Sequence, residues 1–148
     1  MSIQQLNQSL ASVPFWSTLG LTAESASAGA VVLRLPLSQE VTNPSGGLHG
    51  AALLALGEAA ATAAFGIHPQ LSGLVHLHKA SGINYLAKAT ADITAHARLT
   101  PEVVASITGS IEQHDTAQAD MTVRLMDGHG NDVAEVVSVF RFRKQAEP

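Results

Sequence analysis

The chain has no cysteine. That excludes a disulfide scaffold, a thiolate nucleophile and a cysteine-ligated zinc, and it fits a reducing compartment. Aromatic residues are nearly as scarce, at 4% with one Trp and one Tyr, so a core has to be built from Ala, Val, Leu and Ile. Charged residues make up only 14%, too few for a disordered or solvating segment. With a net charge of −4, the chain lacks the basic stripe that nucleic-acid binding needs. No Lys or Arg precedes Arg34, so the first residues carry no basic n-region of a secretory signal. What is there is 148 residues with 46% hydrophobic side chains, ample for one sizeable core. The expectation is a single domain over residues 1–148, cytoplasmic, with neither nucleic acid nor membrane as a partner.

One long apolar run stands out. From Leu48 to Gly66 the only strongly polar side chains are His49, Glu58 and Thr62. The run approaches the length of a membrane span, but it is mostly alanine, holds a carboxylate near its middle and has no basic flank. Ala, Leu and Glu favour helix, and Gly66 followed by Pro69 is a stop signal. A helix apolar on nearly every side belongs inside a protein.

Much of the remainder alternates with period two. Val31 to Leu37, Leu74 to Leu86, Ala89 to Leu99, Val103 to Ile111, Ala119 to Leu125 and Val133 to Arg143 read as strands, with a hairpin turn at Asp127-Gly128-His129-Gly130-Asn131. Residues 2–12 read as a short helix, anchored by Pro14, Phe15 and Trp16. The architecture expected is α+β: a long central helix wrapped by a curled antiparallel sheet of five to six strands, since nothing else in the chain covers the sheet's apolar face.

Glu58 is the residue that needs explaining. An ionised carboxylate among alanines is costly unless paired or hydrogen-bonded. It either lies on a solvent-facing stripe or at a subunit interface, or serves as a general base or nucleophile. Thr62, one turn on, shares its face, unless its hydroxyl bonds back to its own helix. Upstream, Asn43-Pro44-Ser45-Gly46-Gly47-Leu48-His49-Gly50 is a tight loop feeding the helix. A helix start presents free N–H groups and a positive dipole end, suited to an anion or a developing oxyanion. The same residues also serve as an Asx-turn and a cap. Gly50 and Glu58 lie eight positions apart, or about 12 Å along the axis. They cannot both reach one carbonyl carbon, so a joint reaction requires Gly50 from one chain and Glu58 from another.

Asn43, His49, Gly50, Glu58 and Thr62 at this spacing resemble the hotdog-fold acyl-CoA thioesterases. The likeness is to the phenylacetate-degradation type and to the 4-hydroxybenzoyl-CoA thioesterases that use Glu, and it extends from Pro14-Phe15 through Asn84-Tyr85-Leu86 to the final hairpin. The resemblance implies a homo-oligomer, dimer or tetramer, that hydrolyses acyl-CoA. Glu58 would attack the thioester or activate water, and the Gly50 N–H would polarise its oxygen. His49 and Asn43 would shape the loop, and Thr62 would hold substrate or water. It implies no cofactor and no metal, coenzyme A being part of the substrate. Ala51 replaces the second Gly of the usual His-Gly-Gly, Glu58 the Asp of many phenylacetate-type members, and Lys88 a common Pro. A non-catalytic acyl-CoA-binding or structural module is the alternative. A hotdog dehydratase ranks low, because the loop holds no Asp. A metal site at His68, His76 and His78 also ranks low, because no carboxylate stands at ligand spacing.

Overall fold

The computed structural model describes residues 1–145. Helix α1 (Ile3–Ser12) starts at a capping box in which Ser2 Oγ accepts from Gln5 N–H and Gln5 Oε1 accepts from Ser2 N–H. It buries Leu6 and Leu10, and α2 (Pro14–Thr18) follows with proline in its first turn. Then come β1 (Thr22–Ser27), β2 (Ala30–Leu35), the central helix α3 (Gly50–Gly66), β3 (Leu74–Tyr85), β4 (Ile93–Arg98), α4 (Pro101–His114), β5 (Thr116–Met126) and β6 (Asp132–Lys144). The strands form one six-stranded antiparallel sheet in the order β1-β2-β4-β5-β6-β3.

Helix α3 lies against β2 through β6. Its alanines let the backbone approach the sheet closely: Leu56, Ala59, Ala60, Ala61 and Ala64 have no accessible surface. Gly57 marks the tightest point, since a Cβ there would stand 2.5 Å from Val136 Cγ2 on β6. The facing sheet supplies Leu33, Leu35, Ile93, Val123, Leu125, Val136 and Phe142, all fully buried. Each large side chain of this kind contributes about 1.5–3 kcal/mol. The buried helix and curled sheet are therefore as the alternation and the alanine run imply.

Residues 103–111, expected as a strand, form the middle of helix α4. Thr100 caps it by accepting from Val103 N–H, Pro101 occupies its first turn, and Val104, Ile107 and Ile111 turn inward at helical spacing. The helix ends at Asp115, whose φ of 59° is left-handed. β4 begins at Ile93, so Ala89 and Ala91 lie in the preceding loop. There Asp92 accepts from Leu37 N–H at 2.8 Å and from the Arg34 guanidinium, tying that loop to the end of β2. β1, rich in Ala and Ser, is a strand that the hydrophobic pattern does not announce.

The two edges of the sheet differ. β1 is interrupted by a bulge at Ala23/Ser25. Asn7 of α1 binds its backbone, Oδ1 accepting from Ala23 N–H at 2.7 Å and Nδ2 donating to Ala23 O at 3.4 Å. β3, twelve residues long, pairs with β6 on one side only, and its Leu77 and Tyr85 are half exposed. Among the described residues, no helix is long and apolar enough to cross a membrane.

Candidate active site

β3 runs alongside α3 in the opposite direction, which sets residues of the strand against the helix at three levels. Tyr85 stands over Gly50 at the helix start, where a Cβ would fall 2.5 Å from its hydroxyl. Ser81 and His78 meet Glu58 at mid-helix. His76 meets Gly66 at the far end, with its Cε1 3.7 Å from where a Cβ would stand.

At the helix start, Asn43 organises the loop. Its Oδ1 accepts from Ser45 and Gly47 N–H at 2.9 and 3.2 Å, and its Nδ2 donates to Leu48 O at 3.4 Å. Gly46 takes a φ of +78° that side chains disfavour. His49 is the N-cap: its Nδ1 accepts from Ala51 N–H at 3.1 Å, and its carbonyl accepts from Ala52 and Leu53 N–H. The Gly50 N–H is left with no acceptor among the described residues. It opens beside a cleft of about 320 Å³ lined in part by Asn43, Leu48, Gly50, Tyr85, Lys88 and Thr90. A bare N–H at the positive end of a seventeen-residue helix suits a carbonyl oxygen gaining negative charge.

Glu58 is not sunk among the alanines, as the sequence implies, but looks out from α3 toward β3 with 33% of its side chain accessible. Its Oε1 accepts from the Ser81 hydroxyl and lies 3.9 Å from His78 Nε2. His78 is fixed in turn by stacking on Phe140, with ring centroids 4.5 Å apart. Partial exposure and a hydroxyl donor meet the cost of the charge. A carboxylate held this way, open on one side, has the chemistry of a base or nucleophile. Directly across from Ser81 in register lies Ser138 of β6, fully buried, its hydroxyl without a partner among the described residues.

Asn43, His49 and Gly50 are thus brought together at the helix start, while Glu58 stands about 12 Å further along α3. Thr62 is not brought to the carboxylate. Its hydroxyl makes no hydrogen bond among the described residues, neither to Glu58 nor back to the helix, and it lines a separate apolar pocket with His76. His68 lies elsewhere, its Nδ1 accepting from Gln70 N–H. Sequence reasoning missed Ser81, His78 and Tyr85 as neighbours of the site. The alternation of β3 is irregular where its bulge falls, between His78 and Ala80, so no periodic signal marked the face they share.

The same architecture occurs in solved structures. A protein of unknown function from Pseudomonas aeruginosa, described as a probable thioesterase, is 23% identical with a TM-score of 0.89, over 98% of this chain and 97% of that one. A thioesterase from Haemophilus influenzae is 17% identical with a TM-score of 0.80, over 99% and 94%. A mutant thioesterase from Pseudomonas aeruginosa is 19% identical with a TM-score of 0.78, over 98% and 96%. The fold is the hotdog fold of these thioesterases. The chain itself belongs to the family described as a domain of unknown function, DUF4442, matched over residues 4–140. No curated protein matches it.

Proposed function

We propose that this protein hydrolyses acyl-CoA thioesters, in the manner of the phenylacetate-type and 4-hydroxybenzoyl-CoA enzymes it resembles, at sites shared between two copies of the chain. The observation that carries this reading is Glu58: a half-open carboxylate bonded to Ser81 on the β3 edge of the sheet. Pairing of two β3 edges would set the Glu58 of one copy toward the unpartnered Gly50 N–H of the other, which the spacing along α3 requires.

Glu58 then acts as general base or as nucleophile. As a base, it takes a proton from water, and the oxygen attacks the thioester carbonyl. The Gly50 N–H steadies the oxyanion, the carbon–sulfur bond breaks, and the departing thiolate recovers the proton. As a nucleophile, its carboxylate oxygen attacks the carbonyl and breaks the carbon–sulfur bond, expelling the coenzyme A thiolate and leaving an acyl-enzyme anhydride. Water then opens the anhydride, freeing the acid and Glu58, and the proton released goes to the thiolate. An oxyanion donor of this kind contributes about 3 kcal/mol. Asn43 and His49 hold the loop that aims the N–H. Coenzyme A enters as part of the substrate, and the chemistry calls on no cofactor. The setting proposed is cytoplasmic.

Glu58→Gln keeps the shape and the Ser81 contact while removing the base. Thiol release from acyl-CoA is expected to fall by about 10²–10⁴-fold, with fold and assembly unchanged. Undiminished release would discard this carboxylate as the base, whereas no thiol release from any acyl-CoA, with binding insensitive to Glu58→Gln, would favour a non-catalytic acyl-CoA-binding module.

A further inference from the structure

We propose that the apolar pocket between α1, α2 and the C-terminal half of α3 receives the acyl group of the thioester and restricts the substrate to compact acyl groups. The proposal rests on the hydrolytic reading of Glu58 and names its substrate class. The pocket, of about 160 Å³, is walled by Leu6, Leu10, Trp16, Thr62, Ala63 and His76, among others. Its position fits the chemistry. Thr62 lies one turn beyond Glu58, about 6 Å along the helix and on the same face, away from Gly50. An acyl chain whose carbonyl carbon sits at Glu58 therefore needs to extend only about one helical turn past the carboxylate to reach this space.

Three polar residues interrupt the apolar lining: Ser9, whose hydroxyl donates to Gln5 O, Thr62 and His76. The Thr62 hydroxyl and the His76 ring make no hydrogen bonds among the described residues. His76 packs instead against Phe65, Phe140 and Phe142, and burial pushes its pKa below the ordinary value, which keeps the ring neutral beside an apolar guest. Volume sets the limit. An apolar cavity of about 150 Å³ holds one benzene ring, so this pocket takes one ring or an aliphatic chain of similar bulk. A long fatty chain exceeds it, and because the pocket is open to solvent the excess stays in water rather than being buried.

Trp16, the only tryptophan in the chain, lines the pocket and reports its occupancy without any turnover. The probes are non-hydrolysable thioethers: S-hexyl-CoA, S-hexadecyl-CoA and free coenzyme A. S-hexyl-CoA is expected to shift Trp16 emission and free coenzyme A is not, with S-hexadecyl-CoA binding more weakly. A side chain at Gly66 would meet His76 at ordinary contact distance, and leucine is a better helix former than glycine. Gly66→Leu therefore fills the pocket from a position that folds. It is expected to abolish the shift and to cut the preference for hexanoyl- over acetyl-CoA by about tenfold or more. Ser9→Leu, from the exposed face of α1, fills the same space independently and is expected to act in the same direction.

A silent Trp16, an equal response to free coenzyme A, tighter binding of S-hexadecyl-CoA, or a chain-length profile untouched by both fillings overturns the pocket assignment. A thioether that shifts Trp16 while no acyl-CoA is hydrolysed upholds the pocket and overturns the hydrolytic reading.

Discussion

The hydroxyl of Ser81 on β3 donates to Oε1 of Glu58 on α3, joining the β3 edge of the sheet to the middle of the central helix. The bond links residues 23 positions apart and turns the carboxylate outward. Beside it, His78 is held on the ring of Phe140, so the acid is steadied from one strand only and stays open on its other side.

Ser81→Ala removes that donor from an exposed position. A hydrogen bond to a charged group is worth about 1.5–3 kcal/mol, which corresponds to a loss of about ten- to hundredfold in kcat if the orientation serves the transition state. Thermal stability should change less than turnover, because water can replace the donor at this exposed position, and Ser81→Thr should restore turnover. Steady-state kinetics of the two variants would decide it; equal rates for Ala and Ser make the bond a surface detail.

Gly50 and Glu58 can be tested as parts contributed by different chains. His49, before Gly50, is already extended, as a residue preceding proline must be, and proline is accepted in a helix's first turn. Gly50→Pro thus deletes the free N–H while the half-exposed Tyr85 ring swings aside. Each single variant is expected to be nearly inactive. Co-refolding Gly50→Pro with Glu58→Gln should restore about one intact site per mixed dimer. Mixtures no more active than their parents would place the reaction within one chain, or nowhere near these residues.

Gly57→Ala pits two effects against each other. In a helix interior, alanine gains about 1 kcal/mol over glycine. Here its Cβ would fall 2.5 Å from the methyl of Val136, a fully buried β-branched side chain with stiff χ1. Overpacking of that kind costs about 1–3 kcal/mol, so the clash wins. The urea midpoint should drop with an unchanged m-value; a raised midpoint would mean that α3 and β6 are less tightly packed than described.

Asp92 carries a pH dependence with a definite sign. The Leu37 N–H foremost, and then the Arg34 guanidinium, hold its carboxyl below the ordinary aspartate value. The native state therefore prefers the ionised form. The stabilisation is complete above the unfolded value of about 3.9 and is lost as pH falls through the lower folded value. Melting temperatures of wild type and Asp92→Asn should differ by a constant amount near neutrality and converge in acid. A gap that widens on acidification contradicts this sign.

The central helix was legible because a run of alanines with one carboxylate has few other homes. The loop before it was legible because glycine, proline and asparagine each constrain the backbone in known ways. α4 was misread because Val103, Ala105, Ile107, Gly109 and Ile111 happen to alternate. Val104, Ile107 and Ile111 carry the competing helical period, and Thr100-Pro101-Glu102 is a helix start signal. β1 gave no sign because its stability comes from Asn7 and from β2 rather than from its own Ala and Ser side chains. Asn43, His49 and Gly50 could be named as a group because they are local. Ser81, His78 and Tyr85 reach the site only through the register of β3 against the helix, which no local pattern records.

Asn7, by occupying the backbone of β1 at Ala23, blunts one margin of the sheet at that residue. β1 is thereby a poorer template than β3 for an incoming strand. A chain deprived of that asparagine would offer a less guarded second margin, from which polymers could start.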